Sequence, residues 1–213
     1  AFGKYNELVK QTESGFKARE DTRAAMNAEA AKFMQNAGAY TDSQQETFNR
    51  EVAEELSTDK VKERFRKTVL LNDLIDQGNG ARVANFRAQA SDDPNLIKEA
   101  LPGFEAMAKK LEEIKPMTRV AANQKQLAEI KTAMDAYKGA MSAMMGHMTA
   151  LHQLGDKRRA AADHTLEVIS GVYQAAFKAM DQSQQGTQSA VQSASMMMYV
   201  GMAVALALGL ILA

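Results

Sequence analysis

Gln126–Leu151 reads QLAEIKTAMDAYKGAMSAMMGHMTAL, and within it Leu127, Ile130, Met134, Tyr137, Met141, Met144, Met148 and Leu151 recur at alternating steps of three and four residues. Such steps place all eight side chains on one face of an α-helix, because 3.6 residues complete a turn. The stretch is rich in Ala, Leu, Met, Gln and Lys, which favour helix, and it contains no proline. It predicts a long helix with one face packed against a bundle.

The same pattern extends outward in both directions. From Phe2 the steps pass through Tyr5, Val9, Thr12, Phe16, Arg19, Arg23, Met26, Ala30, Phe33 and Ala37, a heptad seam on a first helix. Gly38 is the expected C-cap of that helix, with Thr41 or Ser43 capping a short second helix to about Leu56 and Glu46 completing a capping box with Ser43. Ser57, Thr58 and Asp59 mark a break before a long helix from Lys60 to about Gln89. Ser91-Asp92-Asp93-Pro94 is the clearest turn, since Asp93 can cap a helix that begins at Pro94. That helix is expected to run to Lys115, with a perturbation at Pro102-Gly103 and an end at Pro116. Past Gly155, a final seam of Leu166, Ile169, Tyr173, Ala176 and Met180 leads through a glutamine-rich stretch to the C-terminus. The expected architecture is all-α, an elongated up-down bundle of about six helices.

Composition excludes several classes. Among 213 residues there is no cysteine and no tryptophan, and 26 basic residues balance 26 acidic ones. A disulfide framework, a thiolate zinc site and a cysteine nucleophile are therefore excluded. Charge balance also argues against a nucleic-acid partner, whose phosphates call for a basic excess. No charged residue follows Asp181, and from Met196 the run MMMYVGMAVALALGLILA is apolar apart from Tyr and Gly. Eighteen helical residues cover about 27 Å, close to the thickness of a bilayer core, so residues 194–213 are expected to form a transmembrane helix, with the chain a fragment of a longer protein.

No phosphate-binding, zinc-protease or nucleophile-elbow motif is present. His147 and His152 lie five residues apart, about 140° around a helix, so they do not share a face as metal ligands do. The methionines at 141, 144, 145 and 148 read as core filling. Neither enzyme activity nor a cofactor is expected. The anomalies are cations within apolar stripes. Arg19 and Arg23 occupy consecutive seam positions between Phe16 and Met26, where an unpartnered guanidinium is costly. They either face inward towards a bound anion or snorkel outward to Glu20, Asp21 or an acid on another helix.

In the long central helix the stripe Leu71, Ile75, Gly78, Arg82, Asn85, Gln89 turns from apolar to polar, which could frame a cavity near Arg82, Asn85 and Arg87. A rival stripe, Leu70, Leu74, Ala81, Ala84 and Ala88, would turn Arg82 to the flank. Tyr137 and Tyr173, one in each of the last two seams, complete the expected ligand-binding set. Paired arginines recognise carboxylates in bidentate fashion, so a small organic acid is the expected ligand.

The stretch GARVANFRAQASDDPNLIKEALPGFEAMAKKLEEIKPMT and the later QLAEIKTAMDAYKGAMSAMM resemble the sensor region of bacterial methyl-accepting chemotaxis proteins of the helical bimodular type. The matching elements are Ala81-Arg82, Phe86, Asp92-Asp93-Pro94 and Tyr137. The resemblance implies two stacked four-helix modules, a homodimer, and a periplasmic location for residues 1–193, tethered to the inner membrane. It also implies a small carboxylic acid as ligand, held in the membrane-proximal pocket by arginines at the positions of Arg19 and Arg23. The sensor of a membrane histidine kinase shares these features. A tail-anchored or pore-forming helical protein is the non-receptor alternative.

Overall fold

The computed structural model describes residues 2–53 and 57–212, and the surroundings of side chains for residues 3–52 and 57–203. The chain is all-α. Among the described residues five α-helices follow in order, α1 (Phe2–Ala53), α2 (Thr58–Ser91), α3 (Pro94–Ala100), α4 (Gly103–Ile114) and α5 (Ala121–Leu212), with a 3-10 turn at Lys115–Met117. Two compact units divide the chain: residues 1–5 with 159–213, and residues 6–158.

Within residues 6–158 four helical layers alternate in direction. Arg64, near the start of α2, meets Glu51 near the end of α1, whereas Asp92 at the end of α2 meets Arg19. Lys110 of α4 reaches back to Asp73, and α5 begins beside Ser43 and passes Asp92 at His152. The layers enclose one core, in which Met26, Phe33 and Tyr40 of α1 meet Leu71 and Leu74 of α2. Ile97, Phe104 and Ile114 close it from one side and the α5 stripe from another. All eight residues of that stripe, Leu127 to Leu151, are buried. The methionines at 141, 144 and 148 fill this core, as expected.

The turn at residues 91–94 forms as its chemistry requires. Asp92 takes the left-handed conformation, φ 52°, that short polar side chains tolerate, and its N–H closes α2 on the Ala88 carbonyl. Asp93 Oδ1 then accepts from the Asn95 N–H at 3.0 Å, with Pro94 in the first turn of α3. Leu101-Pro102 separates α3 from α4, which begins at Gly103 and ends in the 3-10 turn that contains Pro116.

Other expectations are corrected. Gly38 does not end a helix, and α1 continues through Thr41, Ser43 and Glu46 to Ala53. The hydroxyls expected to cap a new helix instead donate backward within the same one, Thr41 to the Ala37 carbonyl at 2.9 Å and Ser43 to that of Tyr40 at 3.0 Å. The core face carries on past Gly38 through Tyr40 and Gln44, so packing overrides the glycine. Gly155 likewise lies inside α5. The six expected helices thus become five, because two predicted pairs merge while the segment 94–115 divides.

The seam of α1 is also displaced. It runs through Leu8, Thr12, Gly15, Arg19, Thr22 and Met26, so Phe16 and Arg23 stand outside it. Gly15 decides this register, since a Cβ there would lie 2.9 Å from Leu151 Cδ2. Any larger residue there would require the Leu151 side chain to shift.

In the unit formed by residues 1–5 and 159–213, α5 exposes Leu166, Ile169, Tyr173 and Met180. Among the described residues no helix is long and apolar enough to cross a membrane. The second half of the expected span, 204–213, lies outside the residues whose side chains are described.

Candidate functional site

Charged side chains converge where α1 ends, α2 begins and the 3-10 turn leads into α5. Arg64 is the organising group. Its Nε and Nη2 donate to the two carboxylate oxygens of Glu51, each at 2.8 Å, and its Nη1 donates to Gln44 Oε1 at 2.6 Å. This fork-to-fork geometry is the strong form of an ion pair. It holds the Glu51 carboxyl below its ordinary value.

One turn further along α2, Lys67 points to the same side, and its side chain is only 5% exposed. Its Nζ lies 3.4 Å from Glu63 Oε1, one turn back on α2. The other oxygen of Glu63 accepts from Arg119 Nη2 at 3.0 Å. Behind them, the Tyr40 and Thr118 hydroxyls share a buried hydrogen bond of 2.7 Å that ties α1 to the turn. These groups frame a cavity of about 210 Å³, lined by four cations, Lys60, Arg64, Lys67 and Arg119, against two carboxylates, Glu51 and Glu63. Drug-sized ligands occupy roughly 300–1,000 Å³, so this space suits a molecule of few heavy atoms. An excess of positive charge selects an anion.

Compared with protein-family models, curated proteins and solved structures, the chain matches none.

The residues singled out in the sequence do not form one site. Arg19 is half-buried and donates from Nη1 to Asp92 Oδ1 at 3.2 Å, with its guanidinium 5.5 Å from the Phe16 ring centre. The other Asp92 oxygen lies 2.9 Å from His152 Nε2, so Asp92 joins α1, the end of α2 and α5. Arg23 faces outward and pairs with Glu20, the outward of the two arrangements that the sequence left open. Both stripes proposed for α2 contribute to its buried face, which takes Leu71, Gly78 and Asn85 from one and Leu70, Leu74, Ala81 and Ala88 from the other. Asn85 is buried, its Oδ1 accepting from Gln89 Nε2 at 3.0 Å.

Arg82 is half-buried and Arg87 is exposed on the solvent side of α2. Tyr137 is buried edge-on against Phe104, ring centres 5.5 Å apart, and among the described residues its hydroxyl has no hydrogen-bond partner. Burial pushes its pKa up to about 12, against the opposing charge of Arg82. Tyr173 is exposed and packs at a tilt against Phe177, ring centres 4.6 Å apart.

Among the described residues, no hydrogen bond or ion pair joins two members of the predicted set. Sequence reasoning passed over Arg64, Lys67 and Arg119. Lys67 left a signal, because it precedes Leu70, Leu71 and Leu74 in the same face as a lone cation, the anomaly that drew notice at Arg19.

Lys67 gives the site a pH signature. Burial first, and the Arg64 charge second, lower its pKa from the ordinary 10.5. The unfolded chain therefore holds that proton more tightly, and stability contributed by this residue rises as pH climbs from the folded pKa to about 10.5. Lys67→Met is expected to remove that rise. Urea unfolding of both proteins between pH 8 and 11 tests this, and a wild-type-minus-variant difference that stays flat across the range refutes it.

Proposed function

We propose that the chain is the extracytoplasmic ligand-sensing region of a transmembrane chemoreceptor and that its ligand is a small organic acid. The observation that carries this reading is the cationic cavity, with a buried ammonium on its wall and space for only a small anion. Its sources of charge sit on separate segments: Arg64 and Lys67 on α2, Arg119 in the linker that opens α5. An anion bridging Lys67 and Arg119 would favour the packing of α5 on α2 in which both reach it. Only the difference in affinity between two packings drives the shift. Helix α5 is unbroken to Leu212, so a displacement at its start is resisted by a continuous hydrogen-bond ladder rather than absorbed at a hinge.

Membrane attachment through residues 194–213, a periplasmic location for residues 1–193 and a homodimeric state belong to this proposal. They are supported by the charge-free C-terminal run and by the resemblance of the central stretch to bimodular sensors. The test is isothermal titration of the full chain in detergent with malate, succinate, citrate, acetate and taurine. At least one acid is expected to bind, with affinity lowered tenfold or more in Lys67→Met, about 1.4 kcal/mol or more. Arg23→Ala should leave binding unchanged. Absence of binding by every acid at millimolar concentration, to the wild type and to Glu63→Gln alike, overturns the proposal, as does binding indifferent to Lys67→Met.

A further inference from the structure

The two carboxylates on the cavity wall are held very differently. Glu51 is gripped by both arms of Arg64 at 2.8 Å, and a third nitrogen of that guanidinium is fixed on Gln44. Such a pair is closed, each of its three nitrogens donating one hydrogen bond. Glu63 is held one oxygen at a time, at 3.0 Å by Arg119 and at 3.4 Å by Lys67. The second distance exceeds the roughly 2.7–2.9 Å of a well-made charge-assisted hydrogen bond. Glu63 and Lys67 stand one turn apart on the same helix, so their separation is set by the backbone rather than by the best contact between them.

The three side chains also differ in freedom. Arg119 is 75% exposed and Glu63 is 29% exposed, so either can turn into solvent. Lys67 cannot follow them. A buried ammonium without a counter-ion is strongly disfavoured, so Lys67 holds its charge only while an anion stays beside it.

From this we infer that Glu63 is an internal occupant of the anion seat, and that a small oxyanion binds by displacing its carboxylate from between Lys67 and Arg119. The inference rests on the reading of this cavity as the ligand site, and it adds how that site is regulated. In the ligand-free state Glu63 supplies the charge that Lys67 requires and keeps Arg119, at the threshold of α5, tied to α2. An incoming carboxylate or phosphate takes over both contacts, and Glu63 swings outward into water where its charge is well solvated. No bond is made or broken, and negative charge stays beside Lys67 throughout the exchange. Affinity is therefore set by a competition, and the chain itself carries the competitor.

The test uses the full chain with succinate and, separately, inorganic phosphate as probes in calorimetric titrations at constant ionic strength. Glu63→Gln removes the competing charge while keeping size and shape. It is expected to bind at least one probe on the order of tenfold tighter than the wild type, a gain that Glu63→Gln with Lys67→Met abolishes. Glu63→Asp, one methylene shorter, keeps the charge but loses reach to Arg119, and should fall between the two. It also serves if Glu63→Gln folds poorly, which far-UV circular dichroism reveals. A wild type that binds while both Glu63 variants bind equally or more weakly overturns the displacement and leaves the ligand site standing. Absence of binding by the wild type and both variants overturns the site and the displacement together. Binding by a Glu63 variant alone supports the displacement, and preference between succinate and phosphate identifies which oxyanion the seat fits.

Discussion

Phe33→Ala is expected to lower the stability of the bundle by about 4 kcal/mol, and Gly78→Val in the same chain is expected to return part of that loss, although Gly78→Val alone is destabilising. Phe33 is among the largest fully buried side chains, and deletion of such a ring costs roughly 3–5 kcal/mol through lost transfer energy and the cavity left behind. Gly78 faces it directly: a Cβ added there would lie 2.4 Å from Phe33 Cε1 and 3.1 Å from Cζ. Those atoms belong to a rigid ring in a packed core, so they cannot yield as the tip of a flexible chain does. Gly78→Val should therefore cost about 2 kcal/mol by over-packing, more than helix propensity returns. With the ring gone, the same methyl groups enter vacated space. The double variant is expected to lose about 3 kcal/mol, roughly 3 kcal/mol less than the sum of the single losses, a coupling of the size seen for residues in contact. Urea unfolding followed by tyrosine fluorescence at neutral pH measures all four corners of the cycle. Additive losses would mean that Phe33 and Gly78 do not share one packing site.

The contact between Phe33 and Gly78 also shows where legibility in the sequence ends. The stripe from Leu127 to Leu151 could be read in full, because eight apolar positions fix a helix face with little ambiguity. The turn at residues 91–94 was equally readable, since Asp and Pro act through their own backbone geometry. The register of α1 was not. Its true seam uses Gly15 and Thr22, small residues whose value lies in how near another helix comes, and that helix is over 100 residues away in sequence. A large apolar side chain at Phe16 drew the seam one position aside and carried Arg23 inward with it. The merged helices share a different cause. Gly38 and Gly155 are permissive rather than decisive, and tertiary burial on both sides of Gly38 keeps the helix running.

The candidate site was harder to foresee because its parts are remote in sequence. Arg64 and Glu51 are 13 residues apart and Arg119 reaches Glu63 across 56. Nothing local distinguishes those residues from solvated surface charges. Lys67 alone carried a readable mark, a lysine in an apolar register, and the same rule that singled out Arg19 applies to it. Arg19 itself is satisfied by Asp92, so its inward lean reflects an ion pair between α1 and the end of α2. The rule that a cation in a seam needs a partner holds at both positions, with opposite consequences. One partner is a fixed acid at a capped turn, and the other is a loosely held acid beside a cavity.

Arg64→Met is expected to cost about 2 kcal/mol at pH 7, and the loss should shrink as pH falls below the ordinary carboxylate range. Breaking a buried pair by removing one member costs roughly 3–5 kcal/mol. Here Glu51 stays partly open to water, which lowers the figure, while buried Gln44 loses the donor on its Oε1, which adds to it. The hydrogen bonds from Arg64 are the chief reason that the Glu51 carboxyl titrates below its ordinary 4.5. A depressed folded-state pKa contributes stability fully above the unfolded value and loses it as pH drops through the folded one. The wild-type advantage over Arg64→Met should thus be complete at pH 7 and much reduced near pH 3. Arg64→Lys keeps a charge without the fork and should recover only part of it. Urea unfolding at the two pH values decides the matter. An equal loss at both would assign the effect to packing of the arginine stem, since packing does not titrate. Because the Arg64 charge also lowers the pKa of Lys67, its removal should let Lys67 hold its proton more firmly while the cavity loses a cation. Anion affinity in Arg64→Met then reports which counts for more, the number of charges around the seat or the protonation of the one ammonium buried beside it.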